Sequence, residues 1–322
     1  MEDKSIALTT KPTASLHVSL LSPQPPQHEN NPLSTTLVVF LNGLALPSGA
    51  WSESITHLLA LRKDQPLPAL LCYDRYGQGK SDSDPSDPPD TDYGHDALAV
   101  IADLHQLLVQ VSRGELGTKL DDLRLVLVCN SIGCVLARLY AAAHPGTVAA
   151  FLFLDSMMAN TDFVSIFPDP DEPGFDERKL PEHVTADDVR HARKKFRQFF
   201  HPDVTNAEHF DRRGLRELLP RADEPKLPDG PGGRAPLLTV VGHDWEEFAE
   251  QGESGALSVP AAVVNAYMNP AWGKYNEGLT RLVEDASKVK IAEGCGHFIQ
   301  KDDPEFVAGE INSILNELQN RK

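Results

Sequence analysis

A mostly parallel β-sheet with helices packed against it is the fold class that this 322-residue sequence predicts. Three observations carry the prediction. Short apolar runs recur at Leu37–Leu41, Leu67–Tyr73, Leu125–Val128, Val148–Leu154 and Pro236–Val241, and a strand without polar alternation is one buried on both faces. Helix-like segments lie between several of these runs, which implies crossover connections and a parallel sheet. Polar or glycine-rich residues follow the ends of the runs, at the carboxyl edge where α/β sheets carry their chemistry.

Taken in order, Ser5–Thr10 and Ser15–Leu21 alternate weakly and predict two short edge strands, closed by a Pro-rich loop from Ser22 to Pro32. The strand Leu37–Leu41 runs into Asn42-Gly43-Leu44, and a helix is expected over Trp51–Leu61. Strand Leu67–Tyr73 leads into Asp74-Arg75-Tyr76-Gly77-Gln78-Gly79-Lys80-Ser81. The Asp- and Pro-rich stretch Ser81–Asp92 matches no metal-loop spacing and reads as a solvated loop. Leu98, Ile101, Leu104, Leu107, Leu108 and Val111 recur at helical spacing. Next comes strand Leu125–Val128, the step Cys129-Asn130-Ser131-Ile132-Gly133, and the helix-like run Val135–Tyr140.

After Val148–Leu154 and Asp155-Ser156 the sheet rhythm stops between Met157 and about Arg234. One helix is expected in that stretch, with Thr185 and Asp188 as a capping pair, Val189, Ala192, Phe196 and Phe199/Phe200 on one face, and Arg190, Arg193/Lys194 and Arg197 on a solvated basic face. The rhythm resumes at Pro236–Val241, followed by Gly242-His243-Asp244-Trp245 and a long irregular region. Val289–Ala292 is a last short strand before Gly294-Cys295-Gly296-His297. Asp303 caps a closing helix with Pro304 in its first turn and Val307, Ile311, Ile314, Leu315 and Leu318 as its buried stripe.

Bulk composition narrows the function classes. A net charge of −17 disfavours nucleic-acid and anionic-membrane partners, which need clustered cations. No stretch has the length of a membrane span, and Met-Glu-Asp-Lys-Ser does not open a signal peptide. Cys72, Cys129, Cys134 and Cys295 are scattered without metal-type pairing, and three fall in or beside strand ends, where cysteine behaves as a small hydrophobe. The expectation is a cytoplasmic protein with no metal and no cofactor, acting on a small molecule; the oligomeric state is not legible. His17, His57, His95, His105, His144, His183, His191, His201 and His209 carry no motif or zinc-type spacing. Trp51, Trp245 and Trp272 read as core or pocket walls.

Four strand ends together suit one reaction. Ser131 sits on a sharp strand-to-helix turn, where the first N–H groups of the helix lack intrahelical partners. A serine hydroxyl needs a base to take its proton, and His297 is the candidate. An acid must hold the imidazole tautomer; Asp244 is assigned, with Asp155 as the alternative, while His243 beside Asp244 adds little either way and Glu246 and Glu247 are nearby carboxylates. The N–H groups of Ile132 and Leu44 are the candidate oxyanion donors.

These motifs, in this order, resemble the α/β-hydrolase family of esterases, lipases, lactonases and carbon–carbon bond hydrolases. Asn42-Gly43 stands where the family usually has His-Gly, and Asp74 to Ser81 resembles its D-x-x-G-x-G-x-S turn. Cys129-Asn130-Ser131-Ile132-Gly133 falls on the nucleophile elbow, with a cysteine replacing the first glycine, and Gly294–His297 on the terminal histidine loop. The resemblance runs from about Thr36 to the C-terminus and is weakest in the insert. It implies an eight-stranded-type sheet, a core of residues 1–156 and 235–322, and a helical cap or lid of residues 157–234. The implied activity is a serine hydrolase cleaving a small to medium, largely apolar ester or lactone through an acyl-enzyme. A carbon–carbon hydrolase of the β-diketone type would use the same residues, and a hydrolase fold kept as a ligand-binding protein is the reading from another class. A serine at position 131 argues against relatives that attack through a carboxylate, such as epoxide hydrolases and dehalogenases.

Overall fold

The computed structural model describes residues 1–23, 31–285 and 287–321. Most of the Pro-rich loop expected over Ser22–Pro32, residues 24–30, lies outside the described residues. The chain begins with an antiparallel hairpin of β1 (Glu2–Leu8) and β2 (Lys11–Leu21). Both strands are longer than their apolar alternation suggests, because cross-strand hydrogen bonding, which side-chain pattern does not report, carries the pairing out to Glu2 opposite Leu20.

Six further strands complete one sheet: β3 (Thr36–Leu41), β4 (Ala69–Tyr73), β5 (Arg124–Asn130), β6 (Val148–Leu154), β7 (Leu237–His243) and β8 (Lys290–Ala292). The order is β1-β2-β4-β3-β5-β6-β7-β8. The first two strands are antiparallel, and β4, β3, β5, β6, β7 and β8 run parallel. Each central strand feeds two cores by simple alternation. Leu37, Val39, Leu125, Leu127, Phe151 and Phe153 point to one face, and Val38, Phe40, Val126, Val128, Leu152 and Leu154 to the other.

Helices α1 (Ser52–Leu61) and α10 (Pro304–Asn320) pack together on the second face, while α2 (Ala97–Gly114) and α3 (Ile132–Ala143) cover the first. Asp96 caps α2 and Asp303 caps α10, each accepting a hydrogen bond from a first-turn N–H. Burial of Val307, Ile311, Ile314, Leu315 and Leu318 agrees with the stripe read from the sequence.

Between β6 and β7 the chain leaves the sheet for residues 155–236, which hold α4 (Ala186–Phe199) and the short α5 (Leu215–Leu218). Helix α4 has the expected capping box of Thr185 and Asp188, and buries Val189, Ala192 and Phe196. The region after β7, expected to be irregular, is largely helical: α6 (Trp245–Ser254), the single turn α7 (Ala261–Val263), a π-helical turn Val264–Met268, α8 (Asn269–Thr280) and, after β8, α9 (Ile299–Asp302). Gly252, Gly255, Pro260, Pro270 and Gly273 obscure the helical period there. Burial of Trp272, Tyr275 and Leu279 and packing against β7 hold α8 in place, an instance of tertiary contacts overriding local propensity.

Candidate active site

Ser131 lies between the last residue of β5 and the first of α3, with φ 55° and ψ −122°. That is a backbone region rarely occupied outside glycine, held here by surrounding structure at a cost of about 1–3 kcal/mol. Three groups hold it. The Ser131 N–H donates to the Leu154 carbonyl at 3.2 Å. Asn130 Nδ2 donates to the carbonyls of Leu154 and His297, each at 3.0 Å, and its Oδ1 accepts from Gln300 at 3.1 Å. Gly133 lies so close to β3 that a Cβ there would be 2.3 Å from the Leu41 carbonyl oxygen, so the turn is possible only without a side chain. As the first helical residue, Ile132 presents an N–H with no intrahelical acceptor.

Cys129, in the place of the elbow's first glycine, is fully buried in the core, and its Sγ is not exposed for chemistry. All four cysteines are buried, and burial pushes every thiol above its ordinary range, Cys295 to about 11.

The second expected oxyanion donor comes from the turn after β3. A Cβ on Gly43 would lie 3.5 Å from the Ser131 Cβ, which places this turn against the serine. The Gly43 carbonyl accepts from Arg75 Nη2 at 2.9 Å and Gln78 Nε2 at 3.0 Å, and the Asn42 carbonyl from Arg75 Nη1 at 2.8 Å. A trans peptide points its N–H opposite to its carbonyl, so pinning the Gly43 oxygen fixes the direction of the Leu44 N–H. Asn42, in place of the family's histidine, ties the turn inward through Tyr73, Gln78 and Trp51, all at 2.8 Å.

Arg75 and Gln78 are themselves held by Glu208, from the segment between β6 and β7. Its carboxylate accepts from Arg75 Nε at 3.0 Å and Gln78 Nε2 at 2.9 Å, and also from the Ala45 N–H. The Glu208 side chain has no solvent exposure, and a Cβ on Gly77, at φ +74°, would lie 2.9 Å from the Glu208 backbone. Sequence reasoning missed this clamp because Glu208 carries no local motif and is 133 residues from Arg75.

The carboxylate set against His297 is the alternative, Asp155, and not the assigned Asp244. His297 Nδ1 meets the Asp155 Oδ2 at 2.6 Å. Asp244 instead spends both carboxylate oxygens on backbone: Oδ1 accepts from Glu246 N–H, capping α6, and Oδ2 accepts from Gly294 N–H, each at 3.0 Å. Its own N–H donates to the Cys295 carbonyl at 2.8 Å, so Asp244 braces the loop that carries the histidine without touching the imidazole. The alternative, Asp155, is fully buried at φ 43°, its N–H donating to Val241. Burial alone would raise its carboxyl, but attraction to His243 and hydrogen bonds from His243 and His297 outweigh this and hold it at about 2.

His243, to which sequence reasoning gave no role, is the second imidazole on Asp155, with Nδ1 2.8 Å from Oδ1. Burial would lower its pKa, yet the Asp155 charge and hydrogen bonds to Asp155 and Asn269 raise it above the usual histidine value. The ring of Trp272, edge-on to His297 at 5.3 Å between centroids, forms a wall beside that imidazole. The Trp272 indole N–H donates to the Ser156 carbonyl at 2.8 Å. Phe163 contacts Trp272 edge-on at 6.0 Å and Phe200 at 5.8 Å, so aromatic contact runs from His297 into the segment between β6 and β7.

The site therefore combines a strained serine, a carboxylate-bound histidine, a helix N-terminus and a pinned peptide. This set suits attack on an electrophilic carbon and stabilisation of the resulting oxyanion. The model for the Alpha/beta hydrolase family matches residues 38–310. The chain belongs to the α/β-hydrolase family. Among solved structures it is similar to an epoxide hydrolase from Vigna radiata, at 14% identity over 98% of both chains with a TM-score of 0.54. It is also similar to a thermophilic esterase from Thermogutta terrifontis with malate bound, at 15% identity over 99% of this chain and 100% of that one, TM-score 0.53. A putative lipase from Acinetobacter baumannii AYE is 15% identical over 100% of this chain and 93% of that one, with a TM-score of 0.58. No curated protein gives a significant match. These likenesses establish the α/β-hydrolase fold; at such identities they carry no substrate. In this hydrolase no described helix is long and apolar enough to cross a membrane.

Proposed function

We propose that the protein is a serine hydrolase in which Ser131 is the nucleophile, His297 the general base and then acid, and Asp155 the group that orients His297. The observation that carries this reading is the 2.6 Å contact between His297 and the buried Asp155 carboxylate, in the same site as a serine held at φ 55°. Ser131 attacks the carbonyl carbon as His297 takes its proton. The N–H groups of Ile132 and Leu44 receive the oxyanion, and His297 returns the proton to the leaving group. Water then releases the acyl group by the same route in reverse roles. The serine distinguishes this chemistry from the carboxylate attack of epoxide hydrolases, whatever the shared fold.

The substrate that fits best is a small to medium, largely apolar ester or lactone. Trp272, Phe163 and Phe200 place apolar rings beside the base, and residues 157–234 act in this reading as a cap over the serine. A β-diketone is the second substrate class, because its cleavage uses the same oxyanion and base. A fluorophosphonate probe tests the nucleophile: wild type is labelled at Ser131 and Ser131→Ala is not. Absence of labelling in wild type, or undiminished labelling of Ser131→Ala, overturns the serine-hydrolase reading. A panel of short-chain esters, lactones and β-diketones then ranks the substrates by kcat/KM.

A further inference from the structure

We infer that His243 is an imidazolium at neutral pH, a positioning residue that locks the Asp155 carboxylate and shares its charge with His297. The assignment follows from which neighbours can donate. His243 Nδ1 faces Asp155 Oδ1 at 2.8 Å, and the His243 backbone N–H reaches the same oxygen at 3.4 Å. An ionised carboxylate only accepts, so Nδ1 carries a proton.

His243 Nε2 faces the Oδ1 of Asn269 at 3.1 Å. The orientation of that amide is decided by a neighbour with no choice: Asn269 Nδ2 donates at 2.9 Å to the Trp245 backbone carbonyl, which cannot itself donate. The same nitrogen donates to Asn265 Oδ1 at 2.6 Å. Asn269 therefore offers only an acceptor to His243, and Nε2 carries a proton as well. An imidazole with protons on both nitrogens is a cation.

The surroundings fit a buried cation. His243 is 2% exposed. Phe248 of α6 stacks on it at 4.2 Å, and Trp272 of α8 meets it edge-on at 5.4 Å. The charged and titratable groups around it are Asp155 after β6, Asp244 on its own loop and, across Asp155, His297. The π-helical turn Val264–Met268 directly precedes Asn269, the residue that holds Nε2.

The consequence rests on the proposed role of Asp155. With His243 charged, the resting His243–Asp155 pair is neutral, and protonating His297 during attack creates net positive charge where an isolated carboxylate would leave none. Asp155 thus orients the base strongly while stabilising its cation less. Removing the His243 charge, which bears on His297 through the shared carboxylate, moves the acid limb of the kcat/KM profile to higher pH by about one unit or more at an effective dielectric near 20.

Nitrogen-15 labelled histidine in the full chain provides a test that needs no turnover. His243 is identified from the resonance missing in His243→Gln, and protons on both its ring nitrogens at pH 7 are the expected result. A singly protonated ring overturns the assignment. The pH–rate profile of His243→Gln, shown by circular dichroism to be folded, supplies the second readout. An acid limb moved upward supports the positioning role, and one that stays put overturns it. Should no ester, lactone or β-diketone be turned over, the hydrolase reading falls, and the NMR measurement still decides the charge of His243.

Discussion

Replacing Asp155 by Asn is the sharpest perturbation of the site, because the carboxylate serves two imidazoles with two different oxygens. An amide has one oxygen and one NH2, so one imidazole must face a donor. If that imidazole is His297, its proton is driven from Nδ1 to Nε2, the wrong tautomer for accepting the serine proton. If it is His243, two donors confront each other in a buried space. The first outcome removes the base and predicts a loss of about 10⁴ in kcat, or ~5.5 kcal/mol in the barrier. The second leaves a buried cation without its counter-charge, at about 3–5 kcal/mol of stability. Asp244→Asn is the control: its amide keeps one of the two backbone N–H groups and sets NH2 against the other, at about 1 kcal/mol of stability, and because neither oxygen touches the imidazole kcat falls by less than about tenfold. The assay is hydrolysis of a chromogenic short-chain ester at low temperature, with circular dichroism to establish that each variant is folded. A folded Asp155→Asn within tenfold of wild type, or an Asp244→Asn that loses more, refutes the assignment of the acid.

Four further outcomes are expected. Glu208→Gln leaves Arg75 buried without its carboxylate and loosens the peptide that aims the Leu44 N–H; kcat falls by about tenfold with KM little changed, since one oxyanion donor is worth 10²–10³ when lost outright. Unchanged kcat would show that the clamp does not reach the oxyanion. Gly133→Ala drives a Cβ to within 2.3 Å of the Leu41 carbonyl and lowers Tm by about 2–4 °C or more, a figure that a thermal melt checks directly. Thermal stability should also vary with pH through the buried pair. Asp155 is depressed from 3.8 to about 2, so its contribution is present above the ordinary carboxylate value and is lost as pH falls toward 2. His243 is raised above 6.5, so its contribution is complete below 6.5 and is lost as pH rises through its higher folded value. Melting temperature should hold between about pH 4 and 6.5 and decline on the alkaline side, and His243→Gln should remove that alkaline decline. Finally, native protein should resist iodoacetamide without loss of hydrolase activity, because all four thiols are buried and held protonated; rapid inactivation would contradict their inert role.

Most of the scaffold was legible in the chain itself. Apolar runs without polar alternation identified β3, β5, β6 and β7, because a strand covered on both faces leaves its signature in every residue. Helices with a clean stripe and a cap, α4 and α10 above all, were readable for the same reason. Ser131 and His297 stood out because each lies in a glycine-punctuated turn just beyond a strand, where backbone geometry demands particular residues. Helices α6 and α8 were not readable: glycines and prolines interrupt them, and Trp272, Tyr275 and Leu279 are ordered by what they pack against.

The acid illustrates where sequence stops. Asp155 and Asp244 both follow strands, and both are followed by polar or aromatic residues that form no motif. Which one reaches His297 depends on side-chain directions at neighbouring strand ends. Asp244 turns to the backbone of α6 and Gly294, and Asp155 faces the imidazole. His243 and Glu208 were invisible for a related reason. Their roles are made by partners 88 and 133 residues away, and a single carboxylate or imidazole has no meaning until its donors and acceptors are assembled around it. Local periodicity and turn chemistry determined the sheet, the serine and the histidine loop, because those signals are written in consecutive residues. The tertiary structure alone decided which carboxylate meets His297, which second imidazole shares it and what clamps the turn after β3, because hydrogen-bond partnership between distant residues is a property of space and not of spacing.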